Sequence, residues 1–131
     1  MSSAIPAPAV SKPLLWTSYV ISALPVLGLI MSAVMKFAQP PDMAKGFEHL
    51  GWPMNLAVPL GIVELTCTAL YVIPQTSYLG AILLTGYLGG ATATHVRIGD
   101  NFIAPIIIGI LVWLGLFLRD PRLRVLVPLR R

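Results

Sequence analysis

Few side chains in this 131-residue sequence could do chemistry, and they stand in unusual places. Glu64 interrupts an otherwise uncharged run from Met54 to Ile73, with Thr68 and Tyr71 at i+4 and i+7 on the same helical face. A carboxylate in hydrocarbon costs at least about 2.5–3.5 kcal/mol, so Glu64 should face a bundle interior. There it would be either a protonated donor between helices or a group that exchanges protons with a ligand. A second group, His95, Arg97 and Asp100, closes the stretch LGAILLTGYLGGATATHVRIGD from Leu79 to Asp100. Arg97 and Asp100 are close enough in sequence to pair. His49 and Glu48 lie between apolar runs, and two histidines with Glu48 or Glu64 could in principle hold a metal. A metal site needs several ligands at defined spacing, and none is present, so no metal is expected. Nor is there a Gly-rich phosphate loop, CxxC, CxxCH or GxSxG motif to hold a cofactor.

The elements that must position these groups follow from composition. The sequence is 56% hydrophobic and 11% charged, whereas soluble domains carry about 25% charged residues. That leaves too little polar surface for a water-soluble globule, and the expected class is all-α, an integral membrane four-helix bundle. A span needs about 20 apolar residues; runs of about that length place helices at about 14–36, 54–73, 78–96 and 102–118, within a domain covering 14–129. Residues 1–13 read as a mobile tail. The first run is too long for a signal h-region, about 7–15 residues, and Pro25 within it predicts a kink. Ser18, Ser22, Pro25, Ser32 and Lys36 form a polar seam along it. Between the first two spans, Met43, Phe47 and Leu50 at i, i+4 and i+7 predict a short amphipathic interfacial helix ending at Trp52. The tail after Asp120 could continue as an interfacial helix broken by Pro121 and Pro128. The lone Cys67 allows no intrachain disulfide.

Four spans put both termini on one side. That side would carry Lys12, Arg119, Arg122, Arg124, Arg130 and Arg131, against Lys36, Lys45 and Arg97 on the other. The positive-inside rule then places both termini in the cytoplasm of a cell (inner) membrane. The net charge of +4 suits anchoring to anionic lipid, and no motif points to nucleic acid. Antiparallel packing gathers Lys36, Glu48, His49, Trp52, His95, Arg97 and Asp100 at one mouth, with Glu64 about 15 Å deeper at 1.5 Å per residue. Gly86, Gly89 and Gly90 read as a GxxxG-type packing face, within the chain or in a homodimer.

The Lys36-Phe37 pair, HLGWP (His49 to Pro53), GIVEL (Gly61 to Leu65), the segment from Tyr71 to Asp100 and LRDPRLR (Leu118 to Arg124) together resemble the DoxX-like family of small four-helix membrane proteins. The resemblance covers about Trp16 to Leu129. It implies the four-helix membrane fold and draws attention to Glu64, His95 and Arg97. The wider family is named for a subunit associated with thiosulfate oxidation and quinone reduction, most members of this branch have no assigned activity, and distant relatives help other membrane proteins assemble. The first expectation is therefore a non-catalytic accessory or assembly subunit with a membrane protein partner. The alternatives are a quinone-binding oxidoreductase subunit and a small proton-linked transporter component. In the quinone reading Glu64 or His95 would exchange protons with the ring, Tyr87 or Trp52 would lie against it, and a partner would supply electrons.

Overall fold

The computed structural model describes residues 10–126; most of the expected N-terminal tail, and Pro128, lie outside the described residues. Six α-helices follow one another: α1 (Lys12–Ala38), α2 (Met43–Leu50), α3 (Ala57–Val72), α4 (Ser77–Arg97), α5 (Ile103–Arg119) and α6 (Pro121–Leu126). Single 3-10 turns, Met54–Leu56 and Pro74–Thr76, lead into α3 and α4. The four long helices form a closed ring in which α1 packs on α3 and α5, and α4 packs on the same two. Short connections make successive members antiparallel, so Lys36 at the end of α1 reaches α3, and Ser22 near its start reaches the ends of α3 and α5.

The chemistry of the chain sets each boundary. Lys12-Pro13 opens α1 with a proline whose missing N–H would be unsatisfied there anyway, two residues before the expected start. Gln39, at φ 51°, closes it by donating its N–H to Met35, and two prolines prevent continuation. Pro25 is buried within a helix that runs unbroken from Lys12 to Ala38. Pro121 begins α6 rather than breaking it: proline suits a first helical position, and the Asp120 carboxylate caps the helix by accepting the Arg122 N–H at 3.0 Å.

Burial departs from that of a protein folded in water: polar side chains join Leu29, Leu84, Val112 and Leu116 in the core, and many large apolar ones lie outside it. Ser18, Ser22, Glu64, Thr68, Ser77 and Thr94 are buried, while Trp16, Val20, Leu24, Leu27 and Met31 along α1 are exposed. The helices therefore turn their polar seams inward and leave their apolar faces to an apolar surrounding. Lys12–Ala38 and Met54–Val72 are long and apolar enough to cross a membrane, and Ile103–Arg119 is a shorter apolar helix.

The closest backbone approaches use glycines other than those expected. A Cβ on Gly80 would lie 2.2 Å from the Tyr71 backbone nitrogen, and one on Gly115 would lie 1.9 Å from Ser22 Oγ. Gly80 thus lets the α3–α4 hairpin close, and Gly115 lets α5 meet α1. A Cβ on Gly86, Gly89 or Gly90 would meet nothing within 4 Å. The expectation that these three form a packing face is corrected for contacts within the chain: the α4 ring contacts run through Gly80, Ala81, Leu84 and Leu88 instead, which are buried.

Candidate functional site

Lys36 stands in the last turn of α1, and its four-carbon stem carries the ammonium inward. Nζ donates to Ser32 Oγ at 2.7 Å, one turn back on α1, and to Glu64 Oε1 at 3.0 Å on α3. The two side chains are 15% and 3% exposed, so this is a buried ion pair, neutral as a unit. Glu64 therefore accepts a hydrogen bond from a cation on the neighbouring helix. Lys36, expected at the mouth well above Glu64, is drawn down to it, because a buried carboxylate needs a counter-charge within reach.

Beside this pair is a cavity of ≈ 360 Å³ between α1, α2, α3 and α4. Lys36 and Tyr87 line its polar side, Phe47, Leu50 and Trp52 come from α2 and the segment after it, and Thr94 and His95 lie toward the end of α4. Gly86 and Gly90 line it too, so these glycines leave room for an occupant. His95 Nδ1 is 2.7 Å from the Ala91 carbonyl oxygen. A carbonyl can only accept, so Nδ1 carries the hydrogen, and Nε2 of the neutral ring is an acceptor.

His49 and Arg97, both anticipated as ligand residues, do not line this cavity. They fasten α2 over it. His49 Nε2 lies 2.8 Å from Asp100 Oδ2 and 3.0 Å from Oδ1, and the Arg97 guanidinium donates to the Leu50 carbonyl that ends α2. Gly51, at φ 81°, turns the chain away beneath Arg97 in a backbone conformation that residues with a side chain rarely adopt. The expected Arg97–Asp100 pair does not form. Gly99, at φ 76°, bends the backbone so that the Asp100 N–H returns to the His95 carbonyl, and the carboxylate meets His49 instead.

Lys36, Glu64, Tyr87, Trp52 and His95 thus come together from three helices and a loop, and all of them fall within residues 20–115, the span matched by the pattern of the DoxX-like family. The chain belongs to the DoxX-like family. No curated protein and no solved structure matches it. Among the described residues of this DoxX-like chain no three His, Cys, Asp or Glu side chains are grouped as a metal would require.

The opposite end of the DoxX-like bundle holds a second polar assembly, of which only its members' helical spacing was visible in the sequence. The Tyr71 hydroxyl donates to the Val112 carbonyl at 2.7 Å, so its oxygen accepts from Ser22 Oγ at 2.8 Å, and Ser22 in turn accepts from Arg119 Nη1 at 2.7 Å. Ser22 and Tyr71 were recognisable as members of inward seams. Arg119 was read only as a surface anchor, because a sequence cannot show that its guanidinium folds back between α1 and α3.

Proposed function

We propose that this DoxX-like protein is a four-span accessory subunit of a membrane complex that holds an amphiphile with a polar ring, of the quinone class, beneath α2. The carrying observation is the ≈ 360 Å³ cavity whose mainly apolar lining includes the polar side chains of Lys36, Tyr87, Thr94 and His95. This size falls in the usual range for small-molecule pockets, about 300–1,000 Å³. The residues fit such a head. Lys36 has spent two of its three N–H donors, on Ser32 and Glu64, and the third can serve a ring carbonyl. His95 Nε2 can accept from a ring hydroxyl. Trp52, Phe47 and Leu50 supply flat apolar surface. When bound, the quinone would supply two-electron, two-proton redox capacity; the chain itself binds, orients and exchanges protons at His95 Nε2, and electrons come from the partner. A proton-linked transporter draws less support, since the one deep carboxylate is held by an ammonium.

The topology belongs to the same reading. At 1.5 Å per residue α4 is about 32 Å long and α5 about 26 Å, against a hydrocarbon core of about 30 Å. With α1 and α3 these lengths support four spans, and the six-to-three bias of basic residues supports both termini lying in the cytoplasm of an inner membrane. The test is mass spectrometry of an organic extract from protein purified in mild detergent, beside Gly90→Phe, whose ring would occupy the cavity. Quinone retained near one per chain and lost in the variant is the expected result. Bulk phospholipid alone in both proteins would refute quinone binding, and the protein that co-purifies would then define the assembly role.

A further inference from the structure

The second polar assembly borders its own cavity, of ≈ 450 Å³, where the first half of α1 and the ends of α3 and α5 meet the start of α4. Tyr19, Ser22, Tyr71, Arg119, Asp120 and Arg122 line it. Nearly every polar group here is already committed. The hydroxyls of Ser22 and Tyr71 are used in the chain that ends on the Val112 carbonyl, and the Ser77 hydroxyl bonds the Tyr71 and Ile73 carbonyls. Tyr78 donates to Asp120, and Asp120 is gripped by Arg122 through two bonds of 3.1 Å. The exceptions are the exposed Tyr19 hydroxyl and, among the charged groups, Arg119. Only one of its five N–H donors is accounted for, by Ser22, and among the described residues it forms no ion pair.

Arg119 is nevertheless fixed. Its Cζ lies 5.6 Å from the Tyr19 ring centroid and 5.9 Å from that of Tyr71, so two aromatic faces and a hydroxyl hold the guanidinium in one orientation. With Asp120 and Arg122 cancelling, the cavity keeps one net positive charge on a rigid, planar fork. That fork matches the oxygens of a phosphate in geometry and one negative charge in sign. Arg119 is also the last residue of α5, where the apolar run stops. Val72 beside the cavity, and Val20 and Leu24 on the adjoining turns of α1, leave apolar surface exposed. A basic pocket between helices at such a level is where a lipid headgroup lies.

We infer that this cavity binds a monoanionic phosphoester, with the Arg119 fork as its principal contact and Arg122 at its edge. The site is separate from the pocket under α2, and both arginines lie beyond the family-matched residues 20–115. The experiment is native mass spectrometry of the full chain in mild detergent, titrated with phosphatidylglycerol or with phosphatidylcholine. One phosphatidylglycerol should bind in preference to phosphatidylcholine. Arg119→Gln should weaken it about tenfold or more, as expected for the loss of a charge-assisted contact. Arg124→Gln should change it by less than about twofold, because that arginine is an exposed surface charge bonded to the Phe117 and Leu118 carbonyls outside the cavity. Equal binding of the two lipids by the wild type, or equal losses in the two variants, would overturn the proposal. If Arg119→Gln does not fold, Arg119→Lys keeps charge and length but loses the fork, and undiminished phosphatidylglycerol binding there would overturn it as well. Millimolar glycerophosphoglycerol, the deacylated phosphodiester with the same single negative charge, is the last arm: displacement of the lipid identifies a soluble phosphoester as the occupant, and retention identifies the lipid, either outcome upholding the phosphate site.

Discussion

The two ends of this bundle solve the same problem in opposite ways. Beneath α2, a carboxylate and an ammonium on different helices cancel each other at 3.0 Å, and what remains for a ligand is a set of neutral or partly spent hydrogen-bonding groups. At the other end, a guanidinium is held by hydroxyl and aromatic faces, and its charge is left over. A cancelled pair favours an uncharged polar ligand; an uncancelled cation favours an anion. The same small repertoire of serine, tyrosine and one long basic side chain leaves a different charge at each end, according to whether a Glu stands opposite.

The comparison can be broken first at its strongest point. Glu64→Leu leaves the Lys36 ammonium buried without its partner and should destabilise the bundle by about 3–5 kcal/mol, read as thermal unfolding in detergent. The double variant Lys36→Met/Glu64→Leu should recover most of that loss. If Glu64→Leu alone is as stable as wild type, the pair is not a closed, buried one. A smaller effect is expected from Tyr71→Phe, which strands Ser22 and the Val112 carbonyl and should cost about 1–3 kcal/mol. Arg119 keeps both of its ring contacts, because the phenyl face stays. The smallest effect concerns Asp120. Hydrogen bonds from Arg122 hold it below its ordinary value of 3.8, with Tyr78 assisting and burial opposing. A depressed folded-state pKa means that its stabilisation is complete above 3.8 and is lost as pH falls through the folded value. Asp120→Asn should therefore lower Tm slightly at pH 7, and the difference from wild type should close in strong acid.

Where the sequence was readable, periodicity carried the reading. The four long helices fall within a few residues of their expected places, because apolar runs ended by Pro, Gly and charge leave little freedom. The α2 helix was equally plain from Met43, Phe47 and Leu50. Side-chain reach was not readable. Lys36 was assigned to a mouth because its backbone is there, but its ammonium travels inward to Glu64; Arg119 was assigned to the surface and folds back in the same way. Arg97 and Asp100 looked like partners by proximity, and a single left-handed glycine separated them. The GxxxG spacing of Gly86 and Gly90 signals small residues, but only the ring order of the helices shows whether a neighbour comes close. For α4 the contact with α3 falls at Gly80, beside the turn.

The fastening of α2 has a consequence for how the protein is made. Its bonds join His49 to Asp100 and Leu50 to Arg97, residues 51 and 47 positions apart. When α2 leaves the ribosome, none of the groups that hold it has yet been synthesised. The roof over the first pocket can close only after the α3–α4 hairpin is complete. The opposite end waits longer, since Ser22 must meet an arginine 97 residues downstream. The two cavities are thus finished in sequence during biosynthesis, the one under α2 first.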